Sequence, residues 1–274
     1  MPQRKTQNPI LKGIIKPIMG CKLMGSKVAF YIEKLKTLKN LDSFLLKESG
    51  LPGPRGNLEL AQAFADVAEE RLIKDYISIN HAEAPENSPK LFLTFCGVVG
   101  LGTLVSRGKL YYLKSLRQFA SDHRWRIREA VVIALQRVGD ADIAFLLKEM
   151  KDWSSGNPFE QRAAIAAVCE PRLLTSDTVS SSVLDILDYV TSSMVNLKDR
   201  KTEAFEVLKK GLAYCWSVAV VDCPEKGKKL FEKWVGTNDK DLIWILKENL
   251  KKNRLLKMDK EWVINQVAKL KSQL

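Results

Sequence analysis

The chain has 274 residues, of which 46% are hydrophobic and 28% are charged. This composition excludes an intrinsically disordered chain, because the apolar residues suffice for a large core. Lysine and arginine number 44 against 32 aspartate and glutamate residues, which gives a net charge of +12. A strong positive charge favours an acidic partner, such as nucleic acid, an anionic membrane or an acidic protein.

The N-terminal segment is basic, and its apolar residues within Pro9–Met19 fall on one helical stripe. Gly13 and Pro17 weaken an independent helix there, so docking as a helical cap is favoured over binding to an anionic membrane surface. We therefore expect residues 1–50 to form a basic N-terminal segment with capping helices. Residues 51–274 are expected to form a helical repeat domain.

The longest apolar run is Leu91–Val105, LFLTFCGVVGLGTLV. It is shorter than the ~20 residues that a helix needs to span a bilayer. The run therefore predicts a buried helix, and a membrane span is not expected.

Apolar residues at helical spacing, preceded by capping residues, predict helices along nearly the whole chain. In Arg126–Val138 the apolar side chains form one stripe, Gly139 is expected to end this helix, and Asp140 to begin the next one. No segment shows sustained alternation with a period of two, so the fold is predicted to be all-α. Further capping residues are predicted at Asn57, Asn157, either Ser176 or Asp177, Asp239 and Asp259.

Cysteine and histidine residues are few and scattered: Cys21, Cys96, Cys169, Cys215, Cys223, His81 and His123. Their number and spacing match neither a disulfide framework nor a zinc site. Most of the cysteines lie in apolar runs, which predicts small buried side chains and a reducing, cytoplasmic compartment. Neither a metal ion nor a cofactor is expected.

A weak repeat consists of a helix, a short turn with aspartate, and a second helix that carries a basic residue near its start. The stretch Asp122–Asp140, DHRWRIREAVVIALQRVGD, resembles the second-helix signature of the HEAT-repeat family. The stretch Asp241–Leu255, DLIWILKENLKKNRL, is similar to a terminal repeat of that family. The resemblance covers roughly residues 57–255. It implies a right-handed α-α superhelix of antiparallel helix pairs, with a concave face lined by the second helices.

The sequence RWRIR, within Asp122–Asp140, has two interpretations. In the first, Trp125 packs against the preceding helix, and Arg128 pairs with an acid or hydrogen-bonds the turn between repeats. In the second, Arg124 and Arg128 bind phosphate at the positive end of the helix, and Trp125 stacks on a base. The packing interpretation is favoured, because repeat packing needs this residue pattern in any case.

A second basic cluster consists of Lys247, Lys251, Lys252 and Arg254, of which Lys247, Lys251 and Arg254 are predicted to share one helical face at spacings of four and three. It is either the solvated face of an amphipathic helix or an edge that contacts phosphates. The residues predicted to bind an acidic partner or nucleic acid are Arg124, Trp125, Arg128, Arg162, Lys247, Lys251 and Arg254.

The segment Trp153–Val168, WSSGNPFEQRAAIAAV, looks like a HEAT-like class of DNA alkylation repair glycosylases. The resemblance implies a basic concave face, a catalytic aspartate and tryptophans that hold a lesion. That class places an aspartate four residues after a tryptophan, whereas Trp153 is followed at this spacing by Asn157, and no other tryptophan has such an aspartate. Asp152 and Trp153 therefore remain candidates only for a degenerate catalytic site.

No other catalytic motif is present, such as a phosphate-binding loop or a nucleophile elbow. We therefore predict a non-enzymatic scaffold whose basic concave surface binds an acidic protein or a nucleic acid, with the two partners about evenly supported. The alternative is a DNA-binding protein related to the alkylation repair glycosylases.

Overall fold

A computed structural model describes residues 22–271 of the chain, with side chains from Gly25 onward. Within this range the chain forms α-helices, one 3-10 turn and no β-strand, so the prediction of an all-α fold is confirmed. The predicted cap at Pro9–Met19 lies outside the described residues. The helices are α1 (Lys22–Thr37), α2 (Leu41–Glu48), α3 (Leu58–Val67), α4 (Glu70–Ile77), α5 (Leu91–Ser106), α6 (Tyr112–Phe119), α7 (Trp125–Ala141), α8 (Ile143–Trp153), α9 (Pro158–Val168), α10 (Asp177–Val195), α11 (Glu203–Asp222), α12 (Pro224–Val235), α13 (Lys240–Leu250), α14 (Asn253–Met258) and α15 (Lys260–Lys271).

The helices pack in a regular order. Each odd-numbered helix from α1 to α13 contacts the next odd-numbered helix along the chain. The even-numbered helices α6, α8, α10 and α12 each contact the odd-numbered helices on both sides of them in sequence. From α4 onward, neighbours in the chain are therefore also neighbours in space, as expected for consecutive helices joined by short turns.

A single hydrophobic core runs through the described residues, from Leu35 in α1 to Leu270 in α15. Leu45 in α2 belongs to the same core, so α1 and α2 pack onto the remaining helices. The apolar run Leu91–Val105 lies within α5, whose residues up to Val105 are all buried, which confirms the buried helix. Among residues 22–271, no helix combines the length and the apolar character that crossing a membrane would require.

Local capping explains where most helices begin. Asn57, Asn157, Ser176 and Asp239 each accept a backbone N–H from the first turn of the following helix, as their sequence positions predict. Asp259 likewise accepts the backbone N–H of Trp262 at 2.9 Å.

The predicted boundary at Gly139 is wrong. α7 continues to Ala141, and Asp142, not Asp140, caps α8 by accepting the Phe145 N–H at 2.9 Å. A Cβ atom at Gly139 would lie 2.7 Å from Leu146 Cδ2. The glycine therefore lets α8 pack closely against α7, a role that does not require the helix to end there.

Three of the cysteines are buried free thiols: Cys96, Cys169 and Cys215. Burial raises the pKa of the Cys96 thiol well above its ordinary value, so this group stays protonated at neutral pH. The prediction that most cysteines act as small core side chains is confirmed for these three.

Glu70, at the start of α4, contacts three side chains at the start of α6 and in the turn before it. Its carboxylate forms an ion pair with Lys109 and accepts the hydroxyls of Tyr111 at 2.8 Å and Tyr112 at 2.7 Å. The Lys109 hydrogen bond, followed by those of Tyr112 and Tyr111, lowers the pKa of Glu70 from 4.5 to about 2. The stabilisation is therefore complete above about pH 4.5 and is lost as the pH falls towards 2.

We expect Glu70→Gln to lower the free energy of unfolding at pH 6, with a deficit that shrinks steadily as the pH falls from 4.5 to 2.5. Urea unfolding followed by circular dichroism at several pH values measures this. Glu69→Gln is the matched control, because Glu69 is exposed and makes no side-chain capping hydrogen bond. A deficit for Glu70→Gln that does not change with pH would contradict the assignment.

Candidate interface for an acidic partner

Arg124 lies just before α7 and is only 4% exposed. Its guanidinium donates to both carboxylate oxygens of Asp122, at 2.9 and 2.7 Å, and to the carbonyl oxygen of Ala84 at 3.1 Å. Burial by itself would raise the pKa of Asp122, but the hydrogen bonds from Arg124 outweigh it and hold that pKa below its ordinary value. Arg124 thus fastens the loop before α5 to the turn before α7.

Trp125 and Arg126 form a second contact at the start of α7. The Arg126 guanidinium lies 4.3 Å from the centroid of the Trp125 ring, which is 44% exposed. Arg126 also forms an ion pair with Glu86 and donates to the Gly53 carbonyl oxygen at 2.7 Å. The tryptophan ring is therefore held by an arginine whose own donors bind two loops.

Arg128 makes the contacts that the packing interpretation of RWRIR predicts. It donates to the carbonyl oxygens of Asp122 at 2.7 Å and His123 at 3.1 Å, and so closes the turn before α7. It also forms an ion pair with Glu203 at the start of α11, at 2.8 Å. Arg124, Arg126 and Arg128 are all buried, and their guanidinium groups are engaged inside the protein.

Arg162 in α9 forms an ion pair with Glu129 in α7, and its side chain is only 16% exposed. A Cβ atom at Gly211 of α11 would lie 3.2 Å from Arg162 Cγ, so the arginine sits between α7 and α11. Its charge is neutralised by a carboxylate, and its stem packs between helices.

Asp152 and Trp153, at the end of α8, do not form an open site. Trp153 is 1% exposed, with the Arg117 guanidinium 5.8 Å from its ring centroid. Asp152 is exposed and forms an ion pair with the same Arg117, which also contacts Glu160. Such a buried ring offers no surface on which a ligand base would stack. In the described part of the chain, no group of three or more His, Cys, Asp or Glu residues is arranged to hold a metal ion.

The second basic cluster, at the end of α13 and the start of α14, has fewer carboxylate partners than the arginines near α7. Lys247 forms no ion pair with any residue in the range 25–271, whereas Lys251 pairs with Glu248. Arg254 contacts no carboxylate in that range. It donates to the Tyr214 hydroxyl at 2.8 Å, and its guanidinium lies 4.8 Å from the centroid of that ring.

Two exposed aromatic residues that the sequence patterns did not single out accompany this cluster. Tyr214 in α11 is 46% exposed, and Trp244 in α13 is 39% exposed. Lys252 lies 5.8 Å from the Tyr214 ring, and Lys209 lies 5.0 Å from the Trp244 ring. The sequence could have indicated part of this arrangement, because Lys210 lies four residues before Tyr214 and therefore on the same helical face.

Helices α11 and α13 lie side by side and run in the same direction. Lys209 Nζ is 2.8 Å from an Asp241 carboxylate oxygen near their starts. Further along, Asn249 donates to the Leu212 carbonyl oxygen at 2.9 Å and accepts the Ser217 N–H at 2.8 Å. Packed helices are about 8–10 Å apart, so side chains on their exposed faces are neighbours.

The exposed face of α11, α13 and α14 is therefore both basic and aromatic, and we call it the basic aromatic surface. It consists of the exposed Lys210, Tyr214 and Trp244 and of the partly exposed Lys247, Lys252 and Arg254, of which Lys252 lies in the turn between α13 and α14. None of its four cations has a carboxylate partner among residues 25–271.

Carboxylates next to this surface are already neutralised by other cations. Burial would raise the pKa of Asp241, but hydrogen bonds from Lys209 and then Arg200 outweigh it and hold that pKa below its ordinary value. Glu248 is paired with Lys251. The four unpaired cations therefore leave the surface with a net positive charge at neutral pH.

Comparison of the chain with protein-family models, with curated proteins and with solved structures gave no match. The resemblance to the HEAT-repeat family accordingly stays a prediction from the sequence.

Proposed function

We propose that this protein is a non-enzymatic helical scaffold that binds an acidic macromolecule through the basic aromatic surface. The proposed architecture is a right-handed superhelix of HEAT-like helix pairs. The order in which the odd-numbered helices contact one another supports this architecture, because stacked helix pairs bring each helix against its counterpart in the next pair.

One observation carries the proposed function. Lys252 and Arg254 lie 5.8 and 4.8 Å from the centroid of the exposed Tyr214 ring, and Lys210 and Lys247 lie on the helices that carry the exposed Tyr214 and Trp244. None of these four cations has a carboxylate partner within residues 25–271. Most other interhelical cations, such as Arg128 and Arg162, are paired with acids. A cluster of unpaired cations attracts an anionic partner and raises the rate of association with it.

Arg124, Arg126 and Arg128, at the start of α7, have a structural role. Their donors bind Asp122, Glu86, Glu203 and loop carbonyl groups. A phosphate would have to displace buried hydrogen bonds to reach them, at a cost of several kcal/mol. No catalytic role is proposed for Asp152 or Trp153, since Trp153 is buried and Asp152 is paired with Arg117.

Fluorescence anisotropy with labelled polyanions tests the proposal. We expect the full chain to bind a polyglutamate peptide, a DNA duplex or a single-stranded oligonucleotide at ~50 mM salt, and to bind it more weakly at ~200 mM. Lys210→Glu/Lys247→Glu should weaken binding about tenfold or more, because it reverses two of the four unpaired charges.

The matched control is Lys114→Glu/Lys148→Glu, which reverses two exposed lysines on α6 and α8 and changes the net charge equally. The control should bind within about threefold of the unaltered protein. Absence of binding to every polyanion at ~50 mM salt would contradict the proposed function. Equal weakening by both double variants would show that net charge alone attracts the partner, and would contradict the assignment of this surface.

A further inference from the structure

We infer that the basic aromatic surface binds single-stranded nucleic acid, with bases stacked on Tyr214 and Trp244 and phosphates bound by the surrounding cations. The inference rests on the proposed function and names the class of partner. It depends on the rings as well as on the charges.

The two exposed rings favour nucleic acid over an acidic peptide as the partner. Tyr214 and Trp244 keep 46% and 39% of their surface exposed on neighbouring helices. The carboxylates of an acidic peptide would be attracted to the cations, but aspartate and glutamate side chains have no aromatic surface to stack on the rings. Every nucleic-acid base has such a surface, and stacking on aromatic side chains is how sequence-tolerant single-strand binders gain affinity.

The rings are also held in place before any ligand arrives. The Tyr214 hydroxyl accepts a hydrogen bond from Arg254 Nη2 at 2.8 Å, and the guanidinium lies 4.8 Å from the ring centroid. Lys209, itself fixed by Asp241, lies 5.0 Å from the Trp244 ring. Side chains that are already ordered lose less conformational entropy on binding, which favours affinity.

Single strands fit this surface better than a duplex does. In a duplex the base faces are stacked on one another, so Tyr214 and Trp244 would contact only the backbone. Neighbouring packed helices are about 8–10 Å apart, so rings on α11 and α13 are within reach of bases on one short stretch of single strand. Lys252 and Arg254 lie beside the Tyr214 ring, and Lys210 and Lys247 lie on the two helices that carry the rings, so the phosphates of such a strand would come within reach of these cations.

The experiment measures binding of the full chain to labelled oligo-dT, oligo-U, a DNA duplex and polyglutamate of matched length. We expect both single strands to bind at least about tenfold more tightly than the duplex at ~50 mM salt. If four phosphates are contacted, raising the salt to ~200 mM should weaken single-strand binding about fiftyfold.

Leucine and phenylalanine variants separate the rings from the charges. Tyr214→Leu/Trp244→Leu should weaken single-strand binding about tenfold or more and leave polyglutamate binding within about twofold. Tyr214→Phe/Trp244→Phe keeps two rings and should bind within about threefold of the unaltered protein. Tyr189→Leu is the control, because Tyr189 is 53% exposed but lies on α10.

A measurement on the unaltered protein keeps the inference testable even if the leucine variant does not fold. An oligonucleotide of abasic nucleotides has the same phosphates but no bases, and it should bind at least about tenfold more weakly than oligo-dT. Equal binding of the abasic strand, or equal binding of the duplex, overturns the inference.

The outcomes also distinguish this inference from the proposed function. If polyglutamate or duplex binding depends on Lys210 and Lys247 while neither the bases nor the two rings matter, the scaffold function stands and the single-strand inference is wrong. If no polyanion binds, both are wrong.

Discussion

Replacing Arg124 by alanine is expected to destabilise the protein by about 3–5 kcal/mol, the range for breaking a buried ion pair by removing one partner. Arg124 is 4% exposed, and its loss leaves the largely buried carboxylate of Asp122 without its two charge-assisted hydrogen bonds from the guanidinium. The Ala84 carbonyl oxygen loses its donor as well. Urea unfolding followed by circular dichroism at pH 7 measures the effect.

Lys114→Ala is the control for this experiment, because Lys114 is exposed and should change stability by less than about 0.5 kcal/mol. A loss below about 1 kcal/mol for Arg124→Ala would show that the buried pair is not an important tether. The expected loss also affects binding studies, since a weaker-binding Arg124 variant would have to be shown to be folded before Arg124 is counted as a contact.

Gly102→Ala is expected to destabilise the protein by about 3 kcal/mol, at the upper end of the usual range for overpacking. Gly102 lies on buried α5 where this helix crosses α7, and a Cβ atom there would lie 2.7 Å from the Cα atom of Ala134. The obstacle is backbone, so no side-chain rotation relieves the clash. The two helices must move apart, and the contacts along their interface weaken.

The control for Gly102 is Gly25→Ala in α1, where a Cβ atom would meet nothing within 4 Å. Alanine there should stabilise the helix by up to about 1 kcal/mol, because glycine is a poor helix former. Thermal unfolding of both variants measures the two effects. If Gly102→Ala is neutral, the close contact between α5 and α7 is not required by the fold.

Capping residues show why several helix starts were predictable. Asn57, Ser176 and Asp239 bind backbone N–H groups within three residues of themselves, so the interaction that begins each helix is local in sequence. Gly139 shows where local reasoning fails. The role of Gly139 depends on close packing against Leu146 in the next helix and Leu173 further along the chain, and neither contact can be deduced from helical spacing.

For the candidate site, too, some features follow from local sequence and others only from tertiary contacts. Helical periodicity predicted that Lys247, Lys251 and Arg254 share one face of a single helix, which is wrong: α13 ends at Leu250, and Arg254 lies in α14. It gave no means of telling whether a given cation has a partner elsewhere in the chain. The Glu203 carboxylate that neutralises Arg128 is 75 residues away, and the Gly53 carbonyl that Arg126 binds is 73 residues away.

The sequence by itself determined the all-helical class, several helix starts and the strong positive charge, because these depend on composition and on interactions within a few residues. Tertiary structure decided which cations are available to a ligand. Packing brings distant carboxylates to Arg126, Arg128 and Arg162, while Lys210 and Lys247 receive none within the described residues. It also brings Tyr214 beside Arg254, 40 residues further along the chain. A buried cation requires a partner to offset its desolvation, whereas a solvated cation does not, so burial determined which role each basic residue has.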